Sequence, residues 1–180
     1  EGERLDAPTE GATATSSTQK TATKSLPPVT PAEAIAQALA AGADADFDGL
    51  WEVVKKDVNA TTTEDAWTAL MVACGSPVDT DDMIRKLIKA GANATAVDGD
   101  GWTALHWSAF HGRPEAAEAL LESVSVAERE ALFKAKSNDG KTAREVAQGE
   151  DNDDVVDVID KFTSSKAGDK KKDEDESALR

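Results

Sequence analysis

The amino-acid sequence predicts a mostly all-α fold: a solenoid of about four helix-turn-helix units stacked side by side. Three observations carry that prediction. A short motif recurs as Ala66-Trp67-Thr68-Ala69-Leu70, Gly101-Trp102-Thr103-Ala104-Leu105 and Gly140-Lys141-Thr142-Ala143. Trp67 to Trp102 is 35 residues and Trp102 to Lys141 is 39, the spacing of repeated supersecondary units. Behind each copy the pattern runs helix, turn, helix, then a turn-rich link. The composition agrees: of 180 residues 39% are hydrophobic but only 4% aromatic. Such a chain lacks the rings for a wide core, whereas Ala, Leu and Val fill the thin space between small helices.

The elements follow in order. Residues 1–30 are rich in Thr, Ser, Ala and Pro and bury too little to offset their ordering entropy, so they are expected to be disordered. "PAEAIAQALAAG" and "DFDGLWEVVKKDVNA" read as a diverged first unit, with Trp51 in the core. In the second unit Thr68 opens a helix. "TDDMIRKLIKAGANA" gives its partner, with Thr80 or Asp81 as N-cap and Gly91 as terminator. Met83, Ile84, Leu87 and Ile88 share one face of that helix. In the third unit Thr103 caps "ALHWSAFH", and Gly112 ends it in a left-handed conformation. Pro114 then opens the next helix, and Glu115 suits its dipole. "SVSVAEREALFKAKSN" exceeds what the repeat needs. Ser125 and Glu128 form a capping box there, which predicts a short extra helix with Ala127, Ala131, Leu132 and Phe133 behind it. The fourth unit starts at Thr142 and ends in "DNDDVVDVIDKF". The folded domain is thus placed at 31–163, and 164–180 is expected to be a charged disordered tail.

The segment "GANATAVDGDGWTALHWSAFHGRPEAAEALL" resembles an ankyrin repeat. The family pattern of Gly, a variable residue, then Thr-Pro-Leu-His falls on Gly101, Trp102, Thr103, Ala104, Leu105 and His106, with Ala104 replacing the Pro. Gly112 and the stretch Ala119-Leu120-Leu121 match the later positions. The match weakens outwards. Ala66 replaces the Gly and Met71 the His in the second unit, and Arg144 and Glu145 replace Leu and His in the fourth. The resemblance implies hairpin-like links and a protein-recognition scaffold. It also implies that His106 is structural, bonded to the Thr103 hydroxyl and to the backbone of a neighbouring repeat.

The sequence offers little for catalysis. His106 and His111 are five residues apart, a poor spacing for two ligands on one helix face, and Cys74 matches a small buried Ala of the repeat. No zinc pattern is present. Ser108 lacks a base and an orienting group, and "DGDG" lacks the remaining ligands of a calcium loop. No enzyme, metal or cofactor is therefore expected. A net charge of −15 argues against binding nucleic acid or an anionic membrane and favours a protein partner with a basic surface, or no charged partner at all, the carboxylates then serving solubility. No apolar run reaches membrane-spanning length. A single cysteine fits a reducing compartment, and a cytoplasmic monomer is the expectation. The chain begins at Glu1 rather than Met, so a processed form or a fragment is expected. A regulatory or targeting domain from a larger membrane protein or enzyme is the alternative reading.

Partner contact is assigned to Trp67, Trp102, Phe110 and His111. The resemblance places both tryptophans at variable positions beside the links, and Phe110 and His111 at the groove end of the first helix. Two readings of the tryptophans stand: exposed anchors, or rings lying flat on their own links. Trp107 occupies a Leu position of the repeat and is assigned to the core. Asn59 and Asn93 match glycosylation sequons, against which stands the use of Asn in link turns. The carboxylates Asp151, Asp153, Asp154 and Asp157 read either as a solvated cap or as a surface steering a basic partner.

Overall fold

The computed structural model describes residues 30–164. The segments expected to be disordered lie almost wholly outside these residues. Thr30 caps the first helix and Ser164 closes the last.

The described residues form nine α-helices: α1 Pro31–Ala41, α2 Phe47–Val54, α3 Ala69–Gly75, α4 Asp81–Lys89, α5 Ala104–Phe110, α6 Pro114–Ser123, α7 Val126–Lys134, α8 Ala143–Gly149 and α9 Asp153–Ser164. A single 3-10 turn, Gly42–Asp44, joins α1 to α2. The helices stack in two layers. In the inner layer α1 packs on α3, α3 on α5 and α5 on α8, while in the outer layer α4 packs on α6 and α6 on α9. Each unit therefore buries its apolar face only against its neighbours, as a solenoid requires.

Sequence chemistry explains where the helices begin. The Thr68 hydroxyl accepts the Met71 N–H at 3.2 Å, and the Thr142 hydroxyl accepts the Glu145 N–H at 3.3 Å. The Glu145 carboxylate returns the bond, accepting the Thr142 N–H at 2.7 Å. These contacts satisfy donors that a helix start leaves open. Ser125 and Glu128 do the same for α7, the extra helix, which packs on α8. Of its apolar residues Leu132 is buried and Phe133 partly so, but Ala127 and Ala131 face water. Thr80 differs from expectation: it holds the N-cap position of α4, but its hydroxyl turns back and donates to the Ala73 carbonyl at 2.7 Å. That bond ties α4 to the end of α3.

The links have no regular strands among the described residues, only an isolated bridge between Thr61 and Thr68. Each link closes on itself: the N–H groups of Thr62, Asp98 and Ser137 donate to the carbonyls of Trp67, Trp102 and Lys141. Adjacent links are stitched through backbone bonds from Gly99 to Asp65 and from Asn138 to Asp100, both 2.9 Å. The core is rich in Ala and Leu, as composition predicts.

Candidate functional site

The link-to-helix corner of the third unit is built around His106, which is fully buried. Its Nδ1 accepts the Thr103 backbone N–H at 3.3 Å and lies 2.9 Å from the Thr103 hydroxyl. A nitrogen that accepts an N–H carries no proton, so the ring proton sits on Nε2. Nε2 then donates to the Lys141 carbonyl of the next link at 3.2 Å. Burial holds this imidazole below the usual histidine pKa, against the opposing pull of the Lys141 carbonyl and Asp98. A neutral ring using both nitrogens to join two repeats has none left for chemistry.

Asp98 organises the other side of the corner. Its Oδ1 accepts the N–H groups of Asp100 at 3.0 Å and Trp102 at 2.8 Å, and its Oδ2 accepts the indole N–H of Trp107 at 2.9 Å. A buried carboxylate needs such donors, and here they come without a cation. The bond fixes the Trp107 indole, and other rings gather round it. Trp67 and Trp102 meet it edge to face at 5.7 and 5.9 Å between centroids, and His111 stacks on it at 5.7 Å. Phe110 closes the cluster against Trp102 at 5.3 Å and His111 at 5.1 Å. The four residues assigned to partner contact are thus brought together, through a fifth that the sequence reading placed in the core. Trp67, Trp102 and Trp107 are half buried and pack against the core, while Phe110 and His111 are exposed.

Gly112 has φ +60°, and a Cβ there would lie 2.6 Å from the Asn152 Oδ1. The Asn152 amide reaches from the next unit and donates to the Ala109 and Phe110 carbonyls at 2.8 and 3.1 Å. The glycine therefore serves both the left-handed turn and the approach of its neighbour.

A family model described as ankyrin repeats (3 copies) matches residues 34–130 and 80–163. The chain belongs to the ankyrin-repeat family. Comparison with curated proteins finds no match. Ankyrin repeats are in general protein-interaction modules.

Elsewhere in the ankyrin stack, Cys74 is fully buried, and burial together with Asp81 pushes its thiol far up. Among the described residues no group of three or more His, Cys, Asp or Glu is placed to hold a metal, and no helix is long and apolar enough to cross a membrane. The Asn59 side chain is occupied at both ends: it accepts the Asn93 N–H at 2.7 Å and donates to the Gly91 carbonyl at 3.1 Å. Asn93 accepts both the N–H and the hydroxyl of Thr95. At the far end Asp151, Asp153, Asp154 and Asp157 are exposed, and Asp160 pairs with Arg144 through two bonds of 2.7 and 2.8 Å. Sequence reasoning missed Trp107 as the hub. The usable signal was its indole N–H, which needs an acceptor wherever the ring is buried.

Proposed function

We propose that this ankyrin domain is a scaffold or adaptor that grips a protein partner through the aromatic cluster of Trp67, Trp102, Phe110 and His111. The observation that carries the reading is the cluster itself: rings from two consecutive repeats, continuous through Trp107, with Phe110 41% exposed in a chain poor in aromatics. Aromatic side chains half set in a rigid surface make good anchors, because little freedom is lost when they are covered. The links beside them carry Glu64, Asp65 and Asp100. With a net charge of −15, this favours a partner whose contact surface is basic and whose encounter is steered by charge.

The test is co-purification with quantitative mass spectrometry from cells of origin, using the wild type and two variants. Phe110→Ala/His111→Ala alters only exposed residues, and Trp67→Ala/Trp102→Ala removes the half-buried anchors. A partner at the cluster is lost with both pairs, while the first pair leaves the melting curve nearly unmoved. A stoichiometric partner retained by both pairs would place the contact surface elsewhere.

A further inference from the structure

Three clefts adjoin one another along the edge of the stack where inner helices turn into outer ones. The first, of about 260 Å³, is walled by Leu39, Phe47, Val72 and Trp107 and is largely apolar. Gly75 also lines it and packs close to its rings: a Cβ there would sit 3.1 Å from both His111 and Trp107. The second, of about 540 Å³, shares Phe47 with the first and is lined by Asp46, Asp48, Asp79 and Asp82, with Lys86 as the one cation among the described residues that line it. The third, of about 330 Å³, adds Asp81 and Glu115 and shares Ser76, Pro77 and Arg113 with the first.

Two features of this furrow call for an occupant of particular chemistry. Its carboxylates crowd one another: Asp81 is held above the usual aspartate range by burial and by Asp79, Glu115 and Asp82, with Arg85 opposing. At the junction with the apolar cleft, the Arg113 Nε is buried and meets no acceptor. A buried donor left unpaired carries a desolvation cost that an incoming acceptor removes.

We infer that this furrow docks a short extended segment of a partner protein in which one apolar side chain is followed by Lys or Arg. The apolar side chain fills the 260 Å³ cleft, and a main-chain carbonyl beside it accepts from the Arg113 Nε. The basic side chains enter among Asp48, Asp79 and Asp82, where charge complementarity selects them over neutral ones. The inference rests on the reading of this protein as a binding module; its apolar cleft shares His111 and Trp107 with the aromatic cluster but not Trp67, Trp102 or Phe110.

The test is a titration of the ¹⁵N-labelled full chain, followed by nuclear magnetic resonance, with the capped peptide Gly-Ala-Leu-Lys-Lys-Gly. Controls replace Lys-Lys by Gln-Gln, or Leu by Ser. The expected result is saturable shifts at the amides of Leu39, Gly42, Gly75 and Arg113. Binding should weaken about tenfold with either control, and about tenfold in Asp48→Asn/Asp82→Asn, with the charge dependence fading at high salt. Arg144→Ala, far from the furrow, should bind the peptide as the wild type does. Unshifted furrow amides, or equal binding of the Gln-Gln peptide, would overturn the inference and leave the aromatic-cluster reading standing. Shifts confined to the amides of Trp67, Trp102 and Phe110 would also overturn it, since the peptide would then sit on the cluster. Shifts of the same amides on dilution without peptide would mean a second copy fills the furrow, again against the inference.

Discussion

Ala66 is an alanine in a glycine's place, and replacing it should stabilise the protein. It stands in register with Gly101 and Gly140, and its backbone shares their left-handed twist, φ +56° against +76° and +78°. An L-residue pays roughly 1–2 kcal/mol there. Glycine avoids that strain but loses about 0.5–1 kcal/mol to its greater freedom when unfolded. Ala66→Gly should therefore gain about 0.5 kcal/mol. The reverse change one repeat on, Gly101→Ala, should cost far more. A Cβ there would lie 2.9 Å from the Asn138 Oδ1 and 3.0 Å from its backbone nitrogen. Overlap with a backbone atom adds about 1–3 kcal/mol to the strain, for a total loss of about 2–3 kcal/mol. The contrast follows from the partner link. The residue paired with Asp100 is Asn138, but the residue paired with Asp65 is Gly99, which brings no side chain. Urea denaturation of both variants gives the comparison directly, with Ala66→Gly rising in midpoint and Gly101→Ala falling. Midpoints that move the same way, or a Gly101→Ala loss under about 0.5 kcal/mol, would refute the argument from register and link stitching.

Other outcomes follow from the same geometry. Thr103→Val keeps the shape but removes the hydroxyl beside the His106 Nδ1, so stability should fall by about 1 kcal/mol in a denaturant midpoint. His106 is held below the ordinary value of 6.5, so the unfolded chain binds the proton more tightly. Its contribution is complete above pH 6.5 and is lost as pH falls towards the folded value, which midpoints at pH 8 and pH 5.5 will register; His106→Gln should lessen the slope, while His111, held down by burial and Arg113, keeps the remainder. Cys74 should react with a thiol reagent only as fast as the protein opens, so native labelling at the free-thiol rate would contradict its burial. Arg144→Ala should cost less than about 1 kcal/mol in melting experiments, because the Arg144–Asp160 pair, though bidentate, is about two-fifths exposed on each side.

The parts of the fold that were legible in the sequence are the local ones. Pro114, the Ser125–Glu128 capping box and the apolar face of α4 declare themselves within a turn or two, because their physics lies within a few residues. The repeat period then placed each unit beside the next. What escaped notice depends on contacts between units. Ala66 was seen as a departure from the glycine pattern, yet its backbone twist followed only once the links were stacked in register. Thr80 has the right chemistry for an N-cap, but its hydroxyl goes to the Ala73 carbonyl at the end of α3 instead of its own helix. Trp107 reads as core from its Leu-like position, and nothing local says that Asp98 will hold its indole or that three other rings will meet it. The unpaired, buried nitrogen of Arg113 likewise shows only in the folded chain, where the α5–α6 turn meets the α3–α4 turn.

The ring cluster also decides what light can report about this protein. Three of its four tryptophans touch within a single seam between the second and third repeats, and only Trp51 sits in the first. The fourth repeat has no tryptophan at all. Intrinsic fluorescence is therefore weighted to the middle of the stack and nearly blind to α8 and α9. Far-ultraviolet circular dichroism weights every helix alike. In a linear array whose ends are held by one neighbour each, the two signals part company as soon as an end frays before the centre. Their separation during unfolding thus measures how cooperatively the repeats are joined, with no added label.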